Sequence, residues 1–414
     1  MQIFDVLLER GFIARNEDGT PKQVTNPEIR DILNNKKITA YIGFDPTASS
    51  FHVGNLLQIM VLAHLQRAGH RPIVVVGGGT GLVGDPSGKT EMRKMLTVEK
   101  VQENMNSQKE QFKRYIEFGE GKAIMVNNAD WLLSLNYVEF LRDYGRHFSV
   151  NRMLTADCIK NRMETGLSFL EFNYMILQSY DFLRLYQQYG CILQMGGDDQ
   201  WGNICSGIEL IRRVEGKECY GITCPLLTTA TGSKMGKTEK GAVWLDANLF
   251  SPYEFYQYWR NVDDRDVIKF LSLFTFLPME EIHKLSQLKD SKINEAKEIL
   301  AFEATKITHG EKAAVQAQQD ARSLFGEQKT GESIPTVEIS QQELQKGIWV
   351  IELIKKSGLE TSNSEARRLI QKGGAYINQD KIESIDLQVT ESFVKDGEMI
   401  LRAGKKRYVR VLVK

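Results

Sequence analysis

The chain has 414 residues, of which 42% are hydrophobic and 26% are charged, a composition typical of folded domains that excludes disordered and collagen-like proteins. At about 100–200 residues per domain this length predicts two to four domains, and no run approaches the roughly 18 apolar residues of a membrane span. The 53 lysine and arginine residues balance 53 aspartate and glutamate residues, so the net charge of the whole chain identifies no partner.

The N-terminal sequence predicts a strand, a helix and a second strand. Residues 38–44 form a short apolar run, apolar residues then recur at helical spacing from Gly54 to Gly69, and residues 72–77 form a second buried strand. This order is a βαβ unit, so we expect an α/β domain with a parallel sheet. Further predicted helices and strands cover residues 99–118, 136–146 and 168–189 (helices) and residues 123–126, 191–195 and 225–229 (strands).

The pattern changes after residue 247, where short amphipathic helical stretches begin. We predict an α-helical domain over residues 248–325, a linker over residues 326–345 that contains glycine and proline among polar residues, and a last module over residues 346–414. The predicted helices of these segments cover residues 252–260, 264–274, 279–288, 290–308, 346–357 and 362–372. The predicted strands of the last module cover residues 375–378 and 408–413.

The last module is basic, although the whole chain is neutral. Residues 346–414 contain 14 lysine and arginine residues against 9 acidic ones, a balance of +5, which leaves 39 against 44, or −5, in the rest of the chain. Such a module on a mildly acidic body favours contact with a polyanion. A solvated basic face without a partner is the alternative.

The cysteines and the N-terminus both bear on location. Five cysteines occur without any Cys-x-x-Cys pair, which favours reduced cytosolic thiols over a disulfide framework or a zinc site. The N-terminal residues resemble neither a signal peptide nor a transit peptide. We therefore expect a cytoplasmic protein.

A glycine-rich segment follows the second predicted strand. Residues 79–84 match the GxGxxG pattern of dinucleotide-binding proteins, but Asp85 and Pro86 follow at once, where that motif needs a helix. Residues 84–90 resemble a phosphate loop, but Val83 stands where a glycine is required. We favour a glycine-rich wall that lets a ligand approach the backbone, with Asp85 binding a cation or an amine; a plain turn is the alternative.

His52, Gly54 and Asn55 stand where the first long helix is predicted to begin. The N-terminal N–H groups of a helix attract anions, the imidazole and the amide can donate to phosphate oxygens, and Gly54 leaves room for a flat base. The pattern therefore predicts a nucleotide site, with an ordinary capping loop as the alternative.

Lys234 and Lys237 lie three residues apart in a stretch of glycines and hydroxyl residues, 232–238. A loop with two ammonium groups suits a polyphosphate leaving group, because negative charge builds on it in the transition state. An exposed basic turn is the alternative.

Together these two motifs resemble the HIGH and KMSKS elements of class I aminoacyl-tRNA synthetases, and the sequence resembles bacterial tyrosyl-tRNA synthetases over essentially its whole length. Further matching stretches cover residues 41–47, 84–89, 174–181 and 194–203. Residues 364–378 resemble a small RNA-binding module shared with a ribosomal small-subunit protein. The resemblance implies a Rossmann-like parallel-sheet catalytic domain over residues 1–247 with a dimer-interface insertion near 90–190, then an α-helical anticodon-side domain and a small α+β RNA-binding module.

The resemblance also implies a reaction and its partners. Tyrosine and ATP would give tyrosyl-adenylate and pyrophosphate, and the tyrosyl group would then pass to the 3′ end of tRNA(Tyr). We therefore expect L-tyrosine, ATP and tRNA as partners and a homodimer with no membrane contact. ATP would enter as a substrate with Mg²⁺, without a tightly bound metal.

Site residues follow from the resemblance, position by position. Those implied for tyrosine binding are Tyr41, Asp85, Tyr174, Gln178, Asp181 and Gln200, with Tyr41 and Asp181 at the phenol and Asp85, Tyr174 and Gln178 at the ammonium. Those implied for ATP are Gly43, Asp45, His52, Gly54, Asn55, Gly197, Asp199, Lys234 and Lys237. Those implied for catalysis are Thr47, His52, Asn55, Lys89, Arg93, Lys234, Lys237 and Thr238. Those implied for RNA binding are Arg367, Arg368 and Lys372.

One part of this site is also supported by spacing alone. Residues 174, 178 and 181 are separated by i+4 and i+7, which places them on one face of a helix. A shared pocket is the functional interpretation, and an ordinary polar face is the alternative.

The sequence departs from the family pattern at a few positions. Asn55 stands where many members have histidine, although an amide can still donate, and Ile42 removes a polar contact near the ribose. Gly236 and Thr238 replace the two serines of the general motif, and Asp198 adds a second carboxylate beside Asp199.

Three other functions compete with this interpretation. They are a tryptophan-specific enzyme of the same fold, an RNA-binding paralogue without catalysis, and a small-molecule ligase. Tyr41 with Asp181 favours a phenol, the intact His52, Lys234 and Lys237 favour catalysis, and the basic last module has no purpose in a small-molecule ligase.

Overall fold

A computed structural model describes residues 2–87, 96–232, 235–238, 241–325, 335–378, 380–395, 397–404 and 407–414. The chain divides into two compact units, Met1–Ala314 and Val315–Lys414. Among the described residues, none of the helices combines the length and the apolar character needed to span a lipid bilayer.

The first unit is built on a five-stranded, wholly parallel sheet, which confirms the predicted fold class. Its strands are β1 (Thr39–Phe44), β2 (Arg71–Val76), β3 (Ile124–Asn127), β4 (Cys191–Gly197) and β5 (Tyr220–Cys224). Their order is β3-β2-β1-β4-β5. The chain therefore changes direction across the sheet between β1 and β4, and in open α/β sheets ligands bind at the carboxyl ends of the strands at such a point.

The predicted strand over residues 225–229 is wrong. The strand that pairs with β4 ends at Cys224, and residues 225–229 contribute only a single bridge residue. Pro225 has no backbone N–H to continue a ladder, so the apolar run after it is not part of the sheet.

Helices surround the sheet in the first unit. They are α1 (Ile3–Arg10), α2 (Ile29–Asn35), α3 (Val53–Arg67), α4 (Val98–Phe112), α5 (Ala129–Leu132), α6 (Tyr137–Asp143), α7 (Val150–Thr155), α8 (Asp157–Met163), α9 (Phe169–Phe172), α10 (Tyr174–Tyr189) and α11 (Trp201–Glu215). Residues 59–65 of α3 are all buried, as expected for a helix enclosed on every side. The helix predicted over residues 168–189 is two helices, and α1, α2, α5, α7, α8 and α11 were not predicted.

A short hairpin and a group of helices complete this unit. They are β6 (Lys237–Thr238), β7 (Gly241–Ala242), α12 (Pro252–Arg260), α13 (Val267–Phe274), α14 (Met279–Leu285) and α15 (Ile293–His309). The next helix, α16 (Glu311–Phe325), contains the boundary between the two units.

The helices that follow residue 247 pack directly on the sheet-bearing part of the first unit. Buried Arg10 donates from Nη1 to the carbonyl oxygens of Ser272 and Thr275, at 2.9 and 3.0 Å. These groups lie at the end of α13, where carbonyls lack helical partners. The predicted boundary at residue 247 thus marks a change of secondary structure within one compact unit.

The second unit is an α+β module. Its elements are β8 (Thr336–Ile339), α17 (Gln341–Lys346), β9 (Ile348–Trp349), α18 (Val350–Lys356), α19 (Asn363–Gln371), β10 (Ala375–Ile377), β11 (Asp380–Lys381), β12 (Gln388–Val389), β13 (Glu398–Ala403) and β14 (Arg407–Val413). Its main sheet has the order β11-β10-β13-β14-β8. Because β8 pairs with β14, residues 336–339 of the predicted linker over 326–345 belong to this folded module, and residues 326–334 lie outside the described residues.

Candidate functional site

A cavity of about 250 Å³ opens at the carboxyl ends of β1 and β4, where the topology places a ligand site. Much of its lining consists of residues that the sequence predicted to bind tyrosine or ATP or to act in catalysis. These are Tyr41, Gly43, Asp45, Thr47, Asn55, Asp85, Tyr174, Gln178, Asp181, Asp199 and Gln200. The structure thus brings four separate stretches of sequence to one site.

Asp181 and Tyr41 form one end of this cavity. The Asp181 carboxylate accepts hydrogen bonds from Trp131 Nε1 at 2.7 Å and from Asn128 Nδ2 at 2.9 Å. Burial raises the pKa of Asp181 to about 7, an effect that nearby Asp45 increases and that the two hydrogen bonds oppose. The carboxyl group is therefore a strong acceptor that becomes neutral in mildly acidic solution.

The Tyr41 hydroxyl is buried and has no hydrogen-bond partner among the described residues. Burial and the proximity of Asp181 raise its pKa well above the usual value for tyrosine, so the hydroxyl stays neutral. An unpaired buried hydroxyl costs free energy, and a polar group of a ligand at this end of the cavity would satisfy it.

Asn128 and Trp131, which hold Asp181, were not predicted from the sequence. Asn128 also donates to Thr80 Oγ1 at 2.9 Å and accepts from Gly79 N at 2.8 Å. Asn128 follows β3 directly, so the rule that ligands bind at the carboxyl ends of parallel strands could have identified it. Nothing in the local sequence marks Trp131.

A second part of the cavity lining is a chain of polar side chains around Asp85. Asp85 Oδ2 accepts from Gln200 Nε2 at 2.7 Å, and Asp85 Oδ1 accepts from the backbone N–H of Ser87 at 2.8 Å. Gln178 Nε2 in turn donates to Gln200 Oε1 at 3.1 Å. Together with Tyr174, which lies on the same helix as Gln178, these groups offer several oxygen acceptors to a cation; that this cation is a substrate ammonium stays a prediction.

The N-terminus of α3 is capped by its own side chains. His52 Nδ1 accepts from the backbone N–H of Gly54 at 2.9 Å, and the backbone N–H of His52 donates to Asn55 Oδ1 at 3.1 Å. The Asn55 amide thus caps the helix with its oxygen, which leaves its –NH₂ group as a donor. His52 and Gly54, which we predicted for the ATP site, are not among the cavity-lining residues and directly precede the lining residue Asn55.

Gly197 also lies beside the cavity, between the lining residues Gly196 and Asp199. A Cβ atom at Gly197 would lie 2.6 Å from Asp199 Oδ1, so only glycine allows this carboxylate its position. The added carboxylate of Asp198 turns elsewhere, since its Oδ1 accepts from Thr223 Oγ1 at 3.0 Å.

The predicted lysine loop meets the N-terminus of α3. Gly236 has φ +92°, and a Cβ atom there would lie 2.9 Å from the backbone nitrogen of Gly54 and 3.2 Å from His52 Nδ1. On the other side of the loop, the backbone N–H of Met235 donates to Leu227 O at 3.0 Å. The side chains of Lys237 and Thr238, and the whole of Lys89, Arg93 and Lys234, lie outside the described residues.

Of the residues predicted to bind RNA, Arg367 and Arg368 lie on α19 of the second unit and Lys372 directly follows this helix. Arg367, Arg368 and Lys372 are exposed, and the Arg367 guanidinium lies 5.4 Å from the centre of the Trp349 ring. Within the described part of the chain, no group of three or more His, Cys, Asp or Glu side chains could hold a metal ion.

Comparison with known proteins covers the whole chain. Residues 33–326 match the family described as tRNA synthetases class I (W and Y), and residues 327–411 match the tyrosine--tRNA ligase SYY-like C-terminal domain. The tyrosine--tRNA ligase of Acetivibrio thermocellus is 59% identical over 99% of this chain and 98% of its own. That of Caldanaerobacter subterraneus subsp. tengcongensis is 57% identical over the full length of both chains.

A solved structure is similar to the first part of the chain. The C-terminally truncated mitochondrial tyrosyl-tRNA synthetase of Aspergillus nidulans superposes with a TM-score of 0.68 and 32% identity, over 78% of this chain and 94% of that one.

Proposed function

Because the chain belongs to the class I tRNA synthetases, in the branch of the tyrosine–tRNA ligases, we propose that its cavity binds tyrosine and ATP for the reaction of that family. The chain is an aminoacyl-tRNA ligase: it joins L-tyrosine and ATP to tyrosyl-adenylate and transfers the tyrosyl group to tRNA(Tyr). The relatives over its full length are tyrosine enzymes, which disfavours both tryptophan specificity and a paralogue without catalysis.

We assign the binding positions of the phenol and the ammonium of tyrosine from the arrangement of polar groups in the cavity. The phenol of tyrosine would donate to the Asp181 carboxylate and accept from the Tyr41 hydroxyl, which has no other described partner. The substrate ammonium would bind Asp85, Tyr174 and Gln178, which line the cavity. A ligand with a phenol at one end and an ammonium at the other satisfies both.

The adenylation step needs no covalent enzyme intermediate. A carboxylate oxygen of tyrosine attacks the α-phosphorus of ATP, the bond from that phosphorus to the bridging oxygen breaks, and its electron pair leaves with pyrophosphate. Catalysis is then positioning and stabilisation of charge. His52 contributes a donor, because its Nδ1 accepts from Gly54 and the proton of the neutral ring is therefore on Nε2.

The nucleotide would lie between the N-terminus of α3 and the lysine loop. Asp199 and Gly197 would adjoin the ribose, Gly54 the adenine and Thr47 the phosphates, with Lys89, Arg93, Lys234 and Lys237 neutralising the pyrophosphate. ATP would carry its own Mg²⁺, because polyphosphate oxygens are the hard ligands that this ion prefers.

Homodimerisation is proposed from the surface of the first unit. Eight of the thirteen exposed large hydrophobic side chains found among the described residues lie between residues 133 and 170; they are Leu133, Tyr137, Val138, Leu141, Val150, Met163, Phe169 and Leu170. Apolar side chains gathered in this way mark association surfaces. Val138→Asp should therefore yield monomers in sedimentation experiments, whereas Leu249→Asp, at an exposed leucine outside the 90–190 insertion, should not. Dimers that survive Val138→Asp would contradict the assignment.

The second unit would hold tRNA through its basic surface, and the enzyme would act in the cytoplasm, where its free thiols stay reduced. The function as a whole is tested by amino-acid-dependent exchange of pyrophosphate into ATP, run separately with tyrosine, tryptophan and phenylalanine. We expect exchange with tyrosine alone. Faster exchange with tryptophan, or none with any of the three, would contradict the proposal.

A further inference from the structure

Asn203 lies behind the proposed ammonium site and contacts three separate segments of the chain. This third residue of α11 is 2% exposed. Its Nδ2 lies 3.1 Å from Gln178 Oε1, 3.2 Å from Gln200 Oε1 and 3.3 Å from Ser87 Oγ. A single amide group therefore joins the loop after β2, helix α10 and the turn before α11.

These contacts give a direction to the whole chain of hydrogen bonds. An amide nitrogen only donates, so it holds the oxygen, and not the nitrogen, of each glutamine toward residue 203. With its oxygen held there, Gln200 directs its nitrogen to Asp85 Oδ2, at 2.7 Å. If the Gln200 amide turned over, an oxygen would face the Asp85 carboxylate and the two would repel each other.

The direction of the amides decides what the substrate ammonium meets. A primary ammonium has three N–H donors and no acceptor, so it needs oxygens around it. If the Gln178 amide were turned over, its –NH₂ group would face the ammonium, and two donors would then meet. The carbonyl oxygen of Gln178, held by Asn203, keeps a second lone pair for the ligand.

We infer that Asn203 is a positioning residue of the amino-acid site, which orients the Gln178 and Gln200 amides so that the site accepts hydrogen bonds from the α-ammonium of the substrate. It acts through these two glutamines and is not among the residues that line the cavity. The inference rests on the proposed placement of the ammonium beside Asp85.

The test compares tyrosine with its desamino analogue, hydroxyphenylpropionate, which keeps the phenol and the carboxylate but lacks the ammonium. The full-length protein is compared with Asn203→Leu, a change of similar volume that removes the donor. Ser206→Ala is the matched control on α11, because among the described residues its hydroxyl donates to Gly202 O of its own helix, at 2.9 Å. Asp85→Asn reports independently on the ammonium site.

Loss of an oriented, charge-assisted hydrogen bond should weaken tyrosine binding to Asn203→Leu by about tenfold, with the affinity for the desamino analogue unchanged and KM for tyrosine affected more than kcat. Ser206→Ala should bind both ligands as the parent does. Equal weakening of both ligands by Asn203→Leu, or unchanged tyrosine binding, would overturn the inference. If Asp85→Asn also fails to distinguish the two ligands, the placement of the ammonium is wrong and the inference falls with it.

Discussion

Gly236 lies directly against Gly54: a Cβ atom on Gly236 would come within 2.9 Å of the backbone nitrogen of Gly54. These residues are 182 positions apart, one beside the lysine loop and the other in the first turn of α3. Their contact unites the two motifs on which the sequence-based interpretation depended. Lys237, next to Gly236, must therefore start near the N-terminus of α3.

This contact predicts that Gly236→Ala impairs adenylation. The backbone at Gly236 has φ +92°, which costs alanine about 1–2 kcal/mol, and the added methyl group must also displace the loop from α3. We expect kcat/KM for ATP in pyrophosphate exchange to fall by at least about tenfold, since 1.4 kcal/mol corresponds to that factor. Gly232→Ala is the control, because φ is +82° there but a Cβ atom meets nothing within 4 Å; equal effects of the two changes would show that backbone strain alone is responsible.

Lys237→Ala should lower the rate of adenylation by on the order of 10²-fold and leave tyrosine affinity nearly unchanged. Its ammonium is expected to contact pyrophosphate only as charge develops there, and such an interaction affects the rate more than binding. Single-turnover formation of adenylate measures the rate, and equilibrium binding measures the affinity. Lys217→Ala, at an exposed lysine, should change neither; a Lys237 variant defective only in tyrosine binding would contradict this role.

Tyr41→Phe should weaken tyrosine binding without destabilising the protein. The Tyr41 hydroxyl is buried without a described partner, so its removal from the free protein relieves an unpaired polar group, whereas in the complex it removes a hydrogen bond to the phenol. We expect tyrosine kcat/KM to fall by about tenfold and that for phenylalanine to stay the same or rise. A parallel loss with both amino acids, measured by exchange, would remove Tyr41 from the phenol site.

The raised pKa of Asp181 predicts a pH dependence of stability. Its value of about 7 in the folded protein lies above that of an unfolded aspartate, near 3.9. Folding therefore favours the protonated group, and the stability present below pH ~4 is lost as pH rises through about 7, by roughly 4 kcal/mol in total. The Asp181→Asn variant has no carboxyl group to titrate and does not lose this stability. The free energy of unfolding of the variant minus that of the parent should therefore increase by roughly 4 kcal/mol between pH ~4 and about 7, on top of a constant offset. Denaturant titrations across this range measure it, and a pH-independent difference would contradict the shift.

The parallel sheet could be predicted because its pattern is local, whereas most of the predicted cavity residues followed from the family resemblance. Apolar runs separated by a helical segment specify a βαβ unit, and the spacing of Tyr174, Gln178 and Asp181 specifies a shared helix face. All three side chains do line the cavity.

Contacts made only by the tertiary structure could not be predicted. Trp131 and Asp181 are fifty residues apart, and no local pattern shows that an indole donates to this carboxylate. The strand at Tyr220–Cys224 was misplaced because the apolar residues after Pro225 looked more strand-like than the strand itself. The pairing of β8 with β14 was missed because residues 336–339 alternate polar and apolar side chains over too short a length to be distinguished from a linker.

That pairing changes how the module that we propose to bind tRNA should be removed. A truncation at residue 346 would delete β14 and leave β8 unpaired, exposing an edge that favours aggregation. Deletion from residue 327 onward removes the module with all of its strands, and the buried core of the module lies entirely within the deleted part. We expect the truncated enzyme to retain tyrosine-dependent pyrophosphate exchange within about threefold, because the cavity is built by the first unit, and to lose charging of tRNA.

The matched variant is the full-length chain with Arg367, Arg368 and Lys372 all changed to alanine. It should also retain exchange but bind tRNA more weakly. Its log affinity for tRNA should depend less steeply on log salt concentration, because fewer phosphates are neutralised. Loss of exchange in a truncated enzyme that remains folded would show that adenylation depends on the module, and an unchanged salt dependence in the triple variant would exclude α19 from the contact with tRNA.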